Sequence, residues 1–108
     1  MQVVSGAGDF VDAGEAHWVE QFRVPDLSVG TYSIPVGGID DQSPHTEDEI
    51  YVCTGGQATL RTPSGDAAIT PGVVVYVPAG EEHRFVDVTE NLGLLVFFAP
   101  AEESRAGQ

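Results

Sequence analysis

Thirteen glycines and seven prolines are spread along 108 residues, and they leave little room for a long helix. The breaks cut the chain into pieces of about five to eight residues, which is strand length. No stretch between them carries the helical period of apolar residues. The pieces are rich in Val, Ile, Tyr, Phe and Thr, residues that suit a pleated, half-buried surface. The expected strands are His17–Val24, Ser28–Ile34, Glu49–Thr54, Gln57–Thr62, Ala67–Thr70, Val73–Val77, His83–Val88 and Leu92–Ala99. Turn chemistry separates them at Pro25-Asp26, Gly37-Gly38, Gly55-Gly56, Ser64-Gly65, Pro71-Gly72 and Ala79-Gly80. Many short strands at near-regular spacing indicate an all-β sandwich or barrel.

The length fits one domain with one core. At 42% hydrophobic and 19% charged, the composition is that of a globular chain and not a disordered one. Seventeen acidic residues oppose four arginines, there is no lysine, and the formal net charge is −13. That balance argues against nucleic acid and anionic membrane as partners, since both are held by clustered basic residues. The missing lysine excludes Schiff-base chemistry and a phosphate-binding P-loop. With Cys53 as the one cysteine, an internal disulfide and a thiolate zinc cluster are excluded. The N-terminal residues show no signal-peptide pattern. The apolar stretches Val73–Ala79 and Leu92–Pro100 fall short of the roughly 20 residues a membrane helix needs. A soluble, cytoplasmic protein is expected.

Three residues stand out chemically. His45 and Glu49 lie four apart near the start of an expected strand, and His83 follows Pro78-Ala79-Gly80. Alternate residues of a strand share a face. Where the chain is extended, Ser43, His45, Glu49, Tyr51 and Cys53 would line one side, and His83, Phe85 and Asp87 would share a face of theirs. Two imidazoles and one carboxylate meeting inside a barrel form a metal site with open coordination positions. The same three residues would also suit hydrogen-bonded core positions. Cys53 reads as a small core hydrophobe. Glu47 and Asp48 read as solvated or as acceptors for His45.

The segment 37–87 resembles the two motifs of the cupin superfamily. The first motif runs Gly, five residues, His-x-His, three or four residues, Glu, six residues, Gly; here Gly37, Ser43-Pro44-His45, Glu49 and Gly56 fill it. The second runs Gly, five residues, Pro-x-Gly, two residues, His, three residues, Asn; here Gly72, Pro78-Ala79-Gly80, His83 and Asp87 fill it. Two positions depart: Ser43 stands where the family has its first metal-binding His, and Asp87 where it has Asn. Shifting the motif so that His45 becomes the first His breaks the glycine spacing, so Ser43 is the changed position.

The resemblance implies an all-β cupin double-stranded β-helix, a jelly-roll barrel, spanning 1–108 as a single domain. Residues 1–15 would be an N-terminal arm or edge strand and 101–108 a flexible tail. It implies one divalent transition metal per chain on His45, Glu49 and His83, with Gln42 or Ser43 approaching the fourth position through oxygen. The donor set favours Fe(II), with Mn, Zn, Ni or Cu as the other choices. Tyr51 and Glu47 are the candidate acid and base. No arginine is clearly placed to hold an anion, so the expected ligand is small and neutral or weakly polar. The expected function is a metal-dependent enzyme on a small organic molecule: dioxygenase-type oxidation first, isomerase or lyase chemistry second. The alternative is a non-catalytic cupin that binds or senses a small molecule. A homodimer is also implied.

Overall fold

The structure, a computed structural model, describes residues 1–105. It contains six strands: β1 His17–Val24, β2 Leu27–Ile34, β3 Asp48–Thr62, β4 Gly65–Ile69, β5 Val74–Val77 and β6 Arg84–Ala99. All pairings are antiparallel. The strand order is β1-β2-β6-β3-β4, with β5 also pairing with β3. The all-β expectation holds, with two long strands where four short ones were expected.

The difference is at Gly55-Gly56 and at Glu90-Asn91. The sequence marks Gly55-Gly56 as a turn and leaves residues 89–91 between two expected strands, yet β3 and β6 run straight through, paired from Asp48–Ala99 to Arg61–Arg84 with bulges between Cys53 and Thr59. Glycine signals a turn and a bulge alike. Gly56 has φ +89°, and a Cβ there would overlap the Asn91 backbone. The two strands therefore bend past each other at closest approach. The N-terminal half of β3 pairs with β5 and the C-terminal half of β6. Its other half pairs with β4 and the start of β6.

Alternation fills the interior. In β3, Glu49, Tyr51 and Cys53 point inward while Ile50 is exposed. In β6, Leu92, Leu94, Val96 and Phe98 are buried. They join Ile34, Leu60, Ile69, Val77 and Phe85 in one core cluster. At about 1.5–3 kcal/mol per buried large side chain, this cluster dominates stability.

Segments near both ends of the described residues are tied to the sheet. In the N-terminal arm, which forms no strand, the Gly8 and Val11 amides donate to Thr31 and Ser33. At the other end, residues 101–105, part of the expected tail, form a turn docked on the sheet. The Ala101 amide donates to the Pro25 carbonyl, Glu102 N–H to Ser28 Oγ at 2.8 Å, and Arg23 reaches the Glu102 carbonyl. Residues 106–108 of that expected tail lie outside the described residues.

Candidate functional site

Three parts of the chain converge on one buried point. β3 delivers Glu49 and Tyr51 on its inward face. The turn before β6 delivers His83. The loop between β2 and β3 delivers Asp40, Gln42 and His45, the last just ahead of β3. Two hydrogen bonds hold the loops together: the Gly80 amide donates to the His45 carbonyl at 2.8 Å, and the Ala79 amide to Asp48 Oδ1 at 2.9 Å. Asp48 thus anchors a turn and does not serve His45.

The polar atoms form a continuous run. His45 Nε2 lies 3.2 Å from Gln42 Oε1, which accepts from the Tyr51 hydroxyl at 3.1 Å. That hydroxyl lies 2.9 Å from His83 Nε2, and His83 Nε2 is 2.9 Å from Glu49 Oε1. His83 Nδ1 donates to the Glu81 carbonyl at 2.9 Å, which points Nε2 at the site. Burial opposes a charge on His83, yet its hydrogen bonds to Glu49 and Glu81 hold its pKa above the ordinary value. Burial, joined by the charge of Glu49, holds the Tyr51 hydroxyl well above its own, so it stays protonated.

One atom of this run is unsatisfied. Glu49 Oε2 is buried with no hydrogen-bond partner among the described residues. Such an oxygen is costly to bury unless something compensates it. Ligand atoms of His45, Glu49 and His83 lie within 4.8 Å of one another. Two imidazoles, one carboxylate and an orphaned oxygen fit a divalent transition metal.

Asp40, which the sequence did not single out, organises the loop. It is buried, at 1% exposure. It accepts from the Tyr32 hydroxyl at 2.7 Å, the Phe85 amide at 2.8 Å and Gln42 Nε2 at 2.8 Å. Of the expected positions, Gln42 therefore faces the site, whereas Ser43 is exposed in an adjoining surface depression with Gln42, His83, Arg61 and Arg84. Glu47 is likewise turned away from acid–base work. Its buried carboxylate accepts from Thr46 Oγ1 and from the Glu103 and Arg105 amides. Asp87 is exposed and does not share the face of His83, because its φ of +51° breaks the strand alternation.

A cavity of about 260 Å³ opens beside the run, lined by Trp18, Tyr32, Gln42, His45, Glu49, Tyr51 and Phe98, with Asp41 and Glu102 also facing it. Glu102 Oε2 lies 3.5 Å from His45 Nδ1, where Glu47 or Asp48 was expected. Burial, together with the nearby carboxylates of Glu103 and Glu20, pushes Glu102 up to about 7. No motif marks Glu102, since only the docking of the C-terminal turn brings it here.

The chain is 37% identical over 90 residues to the uncharacterized protein SCO3923 of Streptomyces coelicolor, covering 83% of this chain and 86% of that one. No protein-family model matches. Among solved structures, KdgF from Halomonas sp. superposes with a TM-score of 0.73 at 18% identity, covering 85% of this chain and 86% of that one. The DMSP lyase DddQ from Ruegeria pomeroyi also gives 0.73, at 19% identity, over 92% of this chain and 54% of that one. An RmlC-like cupin protein from Desulfovibrio desulfuricans gives 0.72 at 18% identity, over 94% and 96%. With one relative similar along most of its sequence, the chain belongs to the family of SCO3923, and it shares the cupin double-stranded β-helix fold with these structures.

Proposed function

We propose that this cupin is a metal-dependent enzyme acting on a small organic molecule held in the cavity. The observation that carries the reading is the orphaned Glu49 Oε2 beside the His45–Gln42–Tyr51–His83 run. His45, Glu49 and His83 would hold the metal, with the Gln42 oxygen as fourth donor. Fe(II) is favoured by two imidazoles and a carboxylate, with Mn, Zn, Ni or Cu as the other choices. Bound there, the ion supplies a Lewis-acid centre.

The chain's own groups then divide the work. Glu81 keeps the His83 ring oriented, and Asp40 keeps Gln42 oriented. Trp18, Tyr32 and Phe98 exclude water from one side of the bound molecule. The Tyr51 hydroxyl is within hydrogen-bond reach of the ligand atoms and is held protonated, so it can deliver a proton to a substrate atom placed beside it. That placement supports isomerase- or lyase-type proton transfer. The fold likeness to a DMSP lyase is compatible with it. Oxidation by O₂ is the second reading, supported by the two-histidine, one-carboxylate donor set.

The test begins with metal content. Full-length protein purified without an affinity tag should carry close to one transition-metal ion per chain, and His45→Ala or His83→Ala should lose it. No metal after growth in supplemented medium, and none taken up on reconstitution, would overturn the proposal. Metal-loaded protein that binds small molecules but never converts them would point to the non-catalytic binding cupin. Turnover that proceeds equally without O₂ supports proton transfer, and strict O₂ dependence supports the oxidation.

A further inference from the structure

The walls of the cavity differ from its floor. Trp18 meets Tyr32 edge-on at 6.5 Å and 72°, and Phe98 edge-on at 5.9 Å and 82°. Three large aromatic rings thus form an angular wall. Gly30 on the neighbouring strand makes room for it, because a Cβ there would overlap the Trp18 ring. Glu102 and Asp41 stand on the same cavity.

No cationic side chain lines this cavity among the described residues. The chain has no lysine, and its arginines are committed or placed elsewhere. Arg23 is bound to Glu20 and the Glu102 carbonyl. Arg61 is bound to Asp66, and Arg84 lies on a different depression. Arg105 is exposed and does not line the cavity. Three carboxylates, Asp41, Glu49 and Glu102, line it instead. A ligand entering here therefore meets aromatic rings and carboxylates, the combination that recognises a desolvated organic cation.

We propose that the cavity binds a small molecule carrying a cationic group of the alkylammonium class, seated against Trp18, Tyr32 and Phe98 with Glu102 as its counter-charge. This rests on reading the cavity as a ligand site. It replaces the neutral ligand expected from sequence, where neither Trp18 nor Glu102 could be assigned to the cavity. The aromatic wall contributes attraction to the face of a ring, which a neutral group of the same shape does not receive. Glu102, held in place by the docked turn, contributes the charge.

Choline and its neutral carbon analogue 3,3-dimethylbutan-1-ol separate these contributions, since they share shape and differ in charge. Both would be titrated calorimetrically into the full chain, with and without bound zinc. Choline should bind about tenfold or more tighter than the alcohol, the increment of a partly desolvated cation–π contact. Glu102→Gln and Trp18→Leu should each remove most of that preference. Trp18→Met serves if the leucine variant does not fold. Equal affinities, no binding of choline at millimolar concentration, or a preference that survives Glu102→Gln would overturn the proposal. Zinc content measured on the same samples keeps the two readings apart. Zinc uptake without a choline preference defeats only the cation site, and a choline preference without zinc uptake defeats only the metal centre.

Discussion

Asp40 Oδ2 accepts a hydrogen bond from Gln42 Nε2 at 2.8 Å, and this contact decides which way the Gln42 amide points. An ionised carboxylate only accepts, so the atom facing it is the NH₂ group and the oxygen must face the site. There Gln42 Oε1 meets His45 Nε2 and the Tyr51 hydroxyl. Asp40 is itself held by Tyr32 and by the Phe85 amide at the start of β6. The fourth donor position is thereby set by a buried carboxylate two residues upstream.

Asp40→Asn should expose that dependence. The new amide presents its own NH₂ to a neighbouring donor and cannot satisfy all its former partners. Loss of such an orienting partner weakens metal binding by about 10–100-fold, and the unpaired buried donor costs about 1–3 kcal/mol of stability. Competition titration against a chelator reads the first, and denaturant unfolding the second. Gln42→Ala should lower metal affinity without the stability loss. Metal affinity unchanged in both variants would remove Gln42 from the donor set.

Ser43→His tests the position at which this chain departs from the cupin motif. The Ser43 side chain is exposed, on a depression shared with Arg61 and Arg84. The introduced imidazole therefore starts on the exposed side of Gln42 and His83, away from the buried Glu49, and metal affinity in the same titration should match the parent chain. Clearly tighter binding would mean that residue 43 turns inward when metal is present.

How far the sequence revealed this site depends on what each residue rests on. His45, Glu49 and His83 were legible because motif spacing within one short segment carries them, and Tyr51 because strand alternation puts it on the face of Glu49. Asp40, Trp18 and Glu102 were not. Each reaches the site through pairing or docking distant in sequence: Trp18 through β1 against β2, Glu102 through the C-terminal turn on Ser28. The β-rich barrel followed from Gly and Pro punctuation. The continuity of β3 did not, because a glycine pair marks a bulge and a turn with the same letters.

The docking of that C-terminal turn depends on Glu47. Its carboxylate, 1% exposed as a residue, accepts from the Glu103 amide at 2.6 Å and the Arg105 amide at 3.0 Å. In Glu47→Gln an NH₂ group faces those donors, so at least one amide loses its acceptor. The expected cost is about 1–3 kcal/mol, accompanied by faster hydrogen exchange at residues 101–105. His45 would lose its neighbour Glu102 as the turn loosens. A variant with the parent unfolding midpoint and parent exchange rates would show that the turn is held by its other contacts.

Gly30 underlies the aromatic wall and gives the most direct optical test. A Cβ at this position would overlap the Trp18 ring and also crowd the Val19 carbonyl at 2.7 Å. The strand backbone around it is paired on both sides, with β1 and with β6, and cannot yield easily. The indole must therefore swing outward in Gly30→Ala. Overpacking of this kind costs about 1–3 kcal/mol. The chain contains a single tryptophan, so its fluorescence reports this one ring. Emission should shift to the red and become more accessible to iodide quenching, while metal content stays near the parent value because His45, Glu49 and His83 do not touch Gly30. Parent-like emission and quenching would show that the wall accommodates a methyl group without moving Trp18.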